Sequence, residues 1–302
     1  MRARRLAALL LVGLLAACEA APTPVTDPAV LPPAAVQPWP TPLPSAAPPA
    51  ADTVPPAEGA APAAPGAVDT TPAWTFAVVG DTWKDTPMLR HVLTETAQAG
   101  DRLLLVLGDI TPQGRPEQMA EFAATTRGAG LPVYPVPGNH DIAWSHTTGP
   151  FEQFWPRHQS FDVQNAHFTL VDNSDVTFDA AELAWLDADL AASSQPVKFV
   201  FMHVPALMPY PVPTEDVLAA GGPEFTALME RYHVTAAYAA HLHAYSRVTR
   251  NGVPYVITGG GGEPLHVPAL LGGRFHYVRV TVRGTTAQDT VVWMDQVPTP
   301  GP

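Results

Sequence analysis

From Trp74 onward the chain is divided into short apolar runs, each closed by glycine or a polar group. Trp74-Thr75-Phe76-Ala77-Val78-Val79 reads as a strand, and Arg102 to Leu107 as a strand buried on both faces. Leu131 to Val136 is a third extended run. Between these, Met88 to Ala99 and Pro116 to Thr126 have helical character, with Pro116 suited to a first turn. Strands alternating with helices predict βαβ units and a largely parallel sheet. The second half differs. Ser160 to Val163 and His167 to Val171 read as a hairpin. Ala180 to Ala192 is a helix with Leu183, Leu186 and Leu190 on one face. Val197 to Met202 and Val234 to Ala239 are strands around a helix from Pro223 to Tyr232. The end is β-rich, with Tyr245 to Thr249, Pro254 to Thr258, Arg274 to Val282 and Thr290 to Trp293, and Asn251-Gly252 is a strong turn signal between the first two.

Upstream of Ala73 this rhythm is absent. From about Ala20 to Pro72 the chain is Pro, Ala, Thr and Val without periodicity. Such residues bury too little area to offset the entropy of ordering the backbone, so a semi-extended tether is expected. Before it, Arg2, Arg4 and Arg5 precede an apolar stretch from Leu6 to Ala17. That stretch, about a dozen residues, suits a signal-peptide core better than a membrane span. It ends in Leu15-Ala16-Ala17-Cys18, which resembles the bacterial lipoprotein signal, in which the cysteine is lipidated. The expected organisation is a signal peptide over 1–17, a tether over 18–72, a domain over 73–296 and a tail over 297–302. The implied location is extracytoplasmic, with a lipid anchor at Cys18 in a membrane of the cell envelope.

Composition narrows the chemistry. The chain has 302 residues and a formal charge of −12, with Lys84 and Lys198 as its only lysines. No basic patch is visible to displace counterions, which argues against a nucleic-acid backbone as the main partner. A phosphate ester is still admissible, because metal ions can supply local positive charge. Cys18 is the only cysteine, so an intramolecular disulfide and a cysteine-rich zinc site are excluded.

The candidate chemistry lies where the strands end, as it does in parallel α/β sheets. Gly80-Asp81 follows the first run, Gly108-Asp109 the second, and Gly138-Asn139-His140-Asp141 the third. His203 ends the strand at Phe201-Met202, and His241-Leu242-His243 follows Tyr238-Ala239-Ala240. Each motif alone is ordinary turn chemistry. Together they supply carboxylates, an amide and imidazoles for a two-metal hydrolytic site.

In this order the motifs resemble the calcineurin-like metallophosphoesterase superfamily, which includes the purple acid phosphatases, over about Ala73 to Trp293. Ala244-Tyr245-Ser246-Arg247 resembles the continuation in the purple-acid-phosphatase-like branch, and Gly259 to Gly262 a glycine-rich loop near the family's site. The resemblance implies an α/β fold, a four-layer αββα sandwich with two mixed β-sheets. It implies that Asp109 bridges two metal ions, that Asp81 and His243 bind the first, and that Asn139, His203 and His241 bind the second. His140 would protonate the leaving oxygen, and Asp141 would hold its ring. A bridging carboxylate can hold two ions about 3.5–4 Å apart. The donor set suits Mn, Fe or Zn without selecting among them.

Three positions depart from the family pattern. Trp83 stands where many members have a histidine ligand of the first metal, and Pro112 where purple acid phosphatases have a tyrosine. Ala240 replaces the glycine before His-x-His. The first metal is therefore expected to have only Asp81, Asp109 and His243, with weaker occupancy. His146, Arg247 and His266 are candidate substrate contacts, against plainer roles as loop residues or, for Arg247, a carboxylate partner. Trp144, Phe151, Phe154 and Trp155 line a specificity pocket or belong to the core.

The expected function is phosphoric ester hydrolysis by hydroxide held between two metals, with His140 as general acid. The alternatives are a phosphodiesterase or nucleotidase on the same scaffold, or a non-catalytic envelope lipoprotein that uses the fold for binding. The Trp83 and Pro112 departures motivate the last. His140 and Asp141 argue against it, since binding needs no proton donor. A serine hydrolase has no Gly-x-Ser-x-Gly turn to support it.

Overall fold

A computed structural model describes residues 72–84, 86–210 and 218–295. The signal peptide, Cys18, the tether up to residue 71 and the 297–302 tail lie outside the described residues. Among the described residues no helix is long and apolar enough to cross a membrane.

The strands form two mixed sheets. The first comprises β1 (Trp74–Val79), β2 (Leu104–Leu107), β3 (Val133–Val136), β10 (His276–Arg283) and β11 (Thr286–Trp293), in the order β11-β10-β1-β2-β3. The second comprises β4 (Gln159–Val163), β5 (Ala166–Leu170), β6 (Val197–Phe201), β7 (Ala236–Ala239), β8 (Tyr245–Arg250) and β9 (Val253–Thr258), in the order β4-β5-β6-β7-β9-β8. β1, β2 and β3 are parallel, and so are β5, β6, β7 and β9. The remaining pairings, β1 with β10, β10 with β11, β4 with β5 and β8 with β9, are antiparallel. The parallel expectation therefore holds for one side of the first sheet, from β1 to the edge strand β3, and for the centre of the second.

Alternation along the strands builds the layers. Phe76 and Val78 of β1 and Leu105 and Leu107 of β2 face the second sheet, where Phe168, Phe199 and Phe201 meet them. Phe76 packs edge-on against Phe168 and Phe199, with ring centroids 5.0 Å away in each case. Ala77, Val79, Leu104 and Val106 face outward, under helices α1 (Pro87–Ala99) and α2 (Pro116–Arg127). On the far side, α5 (Ala180–Ala192) and α6 (Gly222–Arg231) cover the second sheet through Leu186, Leu190, Phe225 and Met229. This is the four-layer αββα sandwich. The hydroxyl of Thr86 accepts from Leu89 N–H at the start of α1, and Gly100 closes that helix in the left-handed region. Asp179 accepts from Glu182 N–H to start α5. Two short helices, α3 (Asn139–Ile142) and α4 (Gly149–Glu152), were not foreseen because one turn carries no readable periodicity.

Candidate metal centre

All six expected metal ligands leave the carboxyl ends of parallel strands. Asp81 follows β1, Asp109 follows β2 and Asn139 opens α3 after β3; these belong to the first sheet. His203 follows β6, and His241 and His243 follow β7; these belong to the second. The sheets therefore meet at the site. His241 N–H donates to Asp81 Oδ1 at 3.2 Å, and His140 N–H donates to Asp109 Oδ1 at 2.9 Å. The turns are tight: φ is 56° at Asp81, 48° at Asp109, 66° at His241 and 30° at His243. Left-handed backbone is unfavourable for these residues and is held here by the surrounding sheet ends. Gly108 allows a close approach, since a Cβ there would lie 2.5 Å from His203 Nδ1. Ala240 fits for a related reason: its methyl occupies space that a side chain at Gly80 would take.

Backbone carbonyls settle which ring nitrogens face the centre. A carbonyl only accepts, so His203 Nδ1 donates to Leu107 O at 2.8 Å and His243 Nδ1 donates to Pro264 O at 2.8 Å. Each ring therefore presents Nε2. His203 Nε2 lies 2.9 Å from Asn139 Oδ1, 3.2 Å from His241 Nδ1 and 3.4 Å from Asp109 Oδ2. These lone-pair atoms need a cation among them. In the metal-free protein a proton on His203 can meet that need. Burial disfavours it most, but the charge and hydrogen bond of Asp109, the Asp81 charge and the Leu107 carbonyl together outweigh burial and push His203 up to about 10. Burial likewise raises Asp109, yet the charge and hydrogen bond of His203 bring it down to about 2. Burial and the neighbouring His203 hold His241 down to about 3, so it stays neutral.

The second half of the centre gathers Asp81, His243 and Glu263, each offering a donor atom within 4.8 Å of the others. Asp81 is fully buried, and its Oδ2 has no hydrogen-bond partner. Burial raises the Asp81 carboxyl well above its usual range despite the nearby imidazoles of His243 and His203. An orphaned buried carboxylate oxygen beside an imidazole nitrogen fits a cation, and so does the hard oxygen-and-nitrogen donor set. Glu263 escaped the sequence reading. It follows four glycines after β9, the same strand-end and glycine pattern that marked Asp81, Asp109 and Asn139.

The remaining candidates separate. His140 Nδ1 donates to Pro112 O at 2.9 Å, and Nε2 is left facing the cavity, 3.8 Å from Glu263 Oε1. Asp141 does not hold that ring, which corrects the expectation. Its carboxylate accepts from the backbone N–H groups of Ile110, Thr111 and Gly138 and from the Thr111 hydroxyl. The turn of α3 directs Asp141 inward, and it ties the loop after β2 to the loop after β3. His266 lines the 360 Å³ cavity over the centre and packs on the His243 ring at 4.4 Å. His146 lines a different cavity, with Arg157 and Asp172. Arg247 lies on β8, pairs with Asp289 at 3.2 Å and does not line the central cavity. Phe151 and Trp155 are core residues under Phe122, whereas Trp144 is half exposed.

A sequence model of the calcineurin-like phosphoesterases matches residues 75–245. A 3',5'-cyclic-nucleotide phosphodiesterase of Nostoc sp. is 28% identical over 161 residues, covering 51% of this chain and 60% of the relative. The purple acid phosphatase from yellow lupin (Lupinus luteus) seeds superposes with a TM-score of 0.62 at 16% identity, over 77% of this chain and 53% of the lupin chain. A dimetal phosphatase from Danio rerio superposes with a TM-score of 0.52 at 16% identity, over 73% of this chain and 98% of its own. The matched region thus spans less than two thirds of the Nostoc and lupin proteins. At these identities the two solved structures speak to the fold alone.

Proposed function

The chain belongs to the calcineurin-like phosphoesterase family, and on that footing we propose that it is a metal-dependent hydrolase of phosphoric esters. The observation that carries the reading is the convergence of Asp81, Asp109, Asn139, His203, His241 and His243 from two sheets beneath one cavity. Asp109, Asn139, His203 and His241 would hold one ion; Asp81, Asp109 and His243 would hold another. Bound ions of this kind lower the pKa of a water and neutralise phosphoryl oxygens. The chain's own groups do the rest. His140 N–H fixes one oxygen of Asp109 and so orients the carboxylate shared by both positions. The His140 ring, anchored through Nδ1 on Pro112 O, directs Nε2 to the cavity, where it can give a proton to the departing alcohol oxygen. His266 and His243 wall one side of that cavity.

A diesterase is the second reading, supported by the Nostoc relative, a cyclic-nucleotide phosphodiesterase. Full-length protein loaded separately with Mn, Fe or Zn is to be assayed on a chromogenic monoester and its diester analogue. The ratio of the two rates assigns the substrate class. A wild type that binds two ions yet hydrolyses neither faster than Asp109→Asn would refute the hydrolase reading. The N-terminal pattern supports a further part of the proposal, an extracytoplasmic protein lipidated at Cys18. Radiolabelled fatty acid should enter the wild type and not Cys18→Ser, and equal labelling would exclude the anchor.

A further inference from the structure

The first metal position is short of a ligand wherever the family would place one, because Trp83 offers only an indole. The structure brings another group there. The loop after β9 lies along the end of β1: Gly261 N–H donates to Gly80 O, and Glu263 N–H donates to Asp81 O, both at 2.9 Å. Side chains at Gly259 and Gly261 would collide with Asp81 and with the Gly80 backbone, so only a glycine run can lie this close. The result is that Glu263 turns inward and is 5% exposed.

Two observations point from Glu263 to a cation. Its Oε2 is buried at ion-pair distance, 3.3 Å, from His243 Nε2, outside hydrogen-bond geometry. The facing Asp81 Oδ2 is equally buried and without a partner. Two buried carboxylates thus share a single imidazole nitrogen, and this oxygen-and-nitrogen donor set suits a cation held among the three groups. Glu263 also shares a second grouping with Asp109 and His140, within 4.8 Å, so it borders the carboxylate common to both metal positions.

We infer that Glu263 is a protein ligand of the first metal ion, taking the place of the histidine that Trp83 displaces. The inference rests on the metal-dependent reading above. It makes the first position Asp81, Asp109, Glu263 and His243, three carboxylates and one imidazole. That is harder than the second position, with its two imidazoles and an amide, and it suits Mn2+. Glu263 is then the group that completes the site, and the expected weak occupancy does not hold.

The test counts bound ions. Full-length wild type, Glu263→Gln, Glu263→Ala and Asp81→Asn are equilibrated with Mn2+, freed of excess, and analysed for metal per chain and for affinity by electron paramagnetic resonance. Loss of an outer-sphere partner alone weakens metal binding by about 10–100-fold, so loss of a ligand should cost at least that. Two ions in the wild type are expected. In both Glu263 variants, as in Asp81→Asn, one ion should remain tight and the other weaken at least about tenfold. Glu263→Gln keeps the shape of the side chain, and calorimetric melting of the metal-free proteins checks that the variants fold. Glu263 variants that hold two ions with wild-type affinity overturn the inference and leave the metallophosphoesterase reading standing. The same binding with hydrolysis lost also overturns it, since Glu263 would then act on His140. A wild type that binds no ion removes both.

Discussion

His140 and Asp141 are neighbours in the chain with separate tasks. The His140 ring is anchored by a proline carbonyl and meets the cavity with one free nitrogen. His140→Ala should therefore lower kcat by about 10²–10⁴-fold with bound metal unchanged. The loss should shrink on an ester with a good leaving group such as nitrophenol, which departs without a proton. A rate ratio independent of leaving group would remove His140 as proton donor. Asp141 instead satisfies three buried backbone donors and a hydroxyl. Burial, reinforced by the Asp109 charge, pushes its carboxyl up to about 7, with those hydrogen bonds opposing the rise. Asp141→Ala strands the donors, each at about 1–3 kcal/mol. The expected outcome is a lower melting temperature and lower metal content together. A loss of kcat alone, with stability intact, would restore the ring-orienting role.

Among the elements, the β4–β5 hairpin shows how a polar group joins a sheet to its helix. His167 of β5 meets Asp162 of β4 at 2.6 Å and Asp189 of α5 at 3.0 Å, and Asp189 also accepts from Thr169 and Ser160. Burial would lower His167, but these two carboxylates outweigh it and raise it above 6.5. Burial would raise Asp189, but the same imidazole and the hydroxyls hold it below 3.8. The signs follow from linkage. The His167 contribution is fully present below 6.5 and is lost as pH rises through its higher folded value. The Asp189 contribution is present above 3.8 and is lost as pH falls through its lower folded value. The network is strongest in mild acid. His167→Gln should cost about 1.5–3 kcal/mol near pH 5.5, where the hydrogen bonds are to a charged ring. Denaturant titrations near pH 5.5 and pH 9 should show the gap between wild type and variant closing in alkali, and a constant gap would rule the charge out.

At the scale of the whole molecule, the centre exists only while the two sheets keep their relative position. Asp81 and Asp109 belong to one sheet, and His203, His241 and His243 to the other. Phe76 of the first sheet meets Phe168, Phe199 and Phe201 of the second, beside the contacts of Trp74 with Phe168 and of Tyr134 with Phe161. Phe76→Ala should cost about 3–5 kcal/mol in a denaturation curve. It should also weaken metal binding although Phe76 touches no ligand, because the cavity lets the sheets shift. Unchanged metal affinity in a destabilised Phe76→Ala would show that the sheet ends hold the centre without that contact.

Much of this was readable in order along the chain. Alternation at Phe76, Ala77, Val78 and Val79 announces a strand with two buried faces, and the leucines of α5 announce its helix. Both are set by neighbours two to four residues apart, the range over which side-chain direction is fixed by local backbone geometry. The strand-end motifs were legible for the same reason, since a polar group after an apolar run leaves the sheet at its end. What the sequence could not determine was which distant groups meet. Asp141 and His140 are adjacent, yet one turn of helix sends one inward and the other to the cavity. Arg247, two residues into β8, is drawn to Asp289 of β11 by the packing of two sheets. Glu263 lies twenty residues past His243 and reaches it because a glycine run lies along β1. The residue types and their strand ends are local information. The convergence of two sheets on one centre is a matter of long-range packing, and only the tertiary structure decided it.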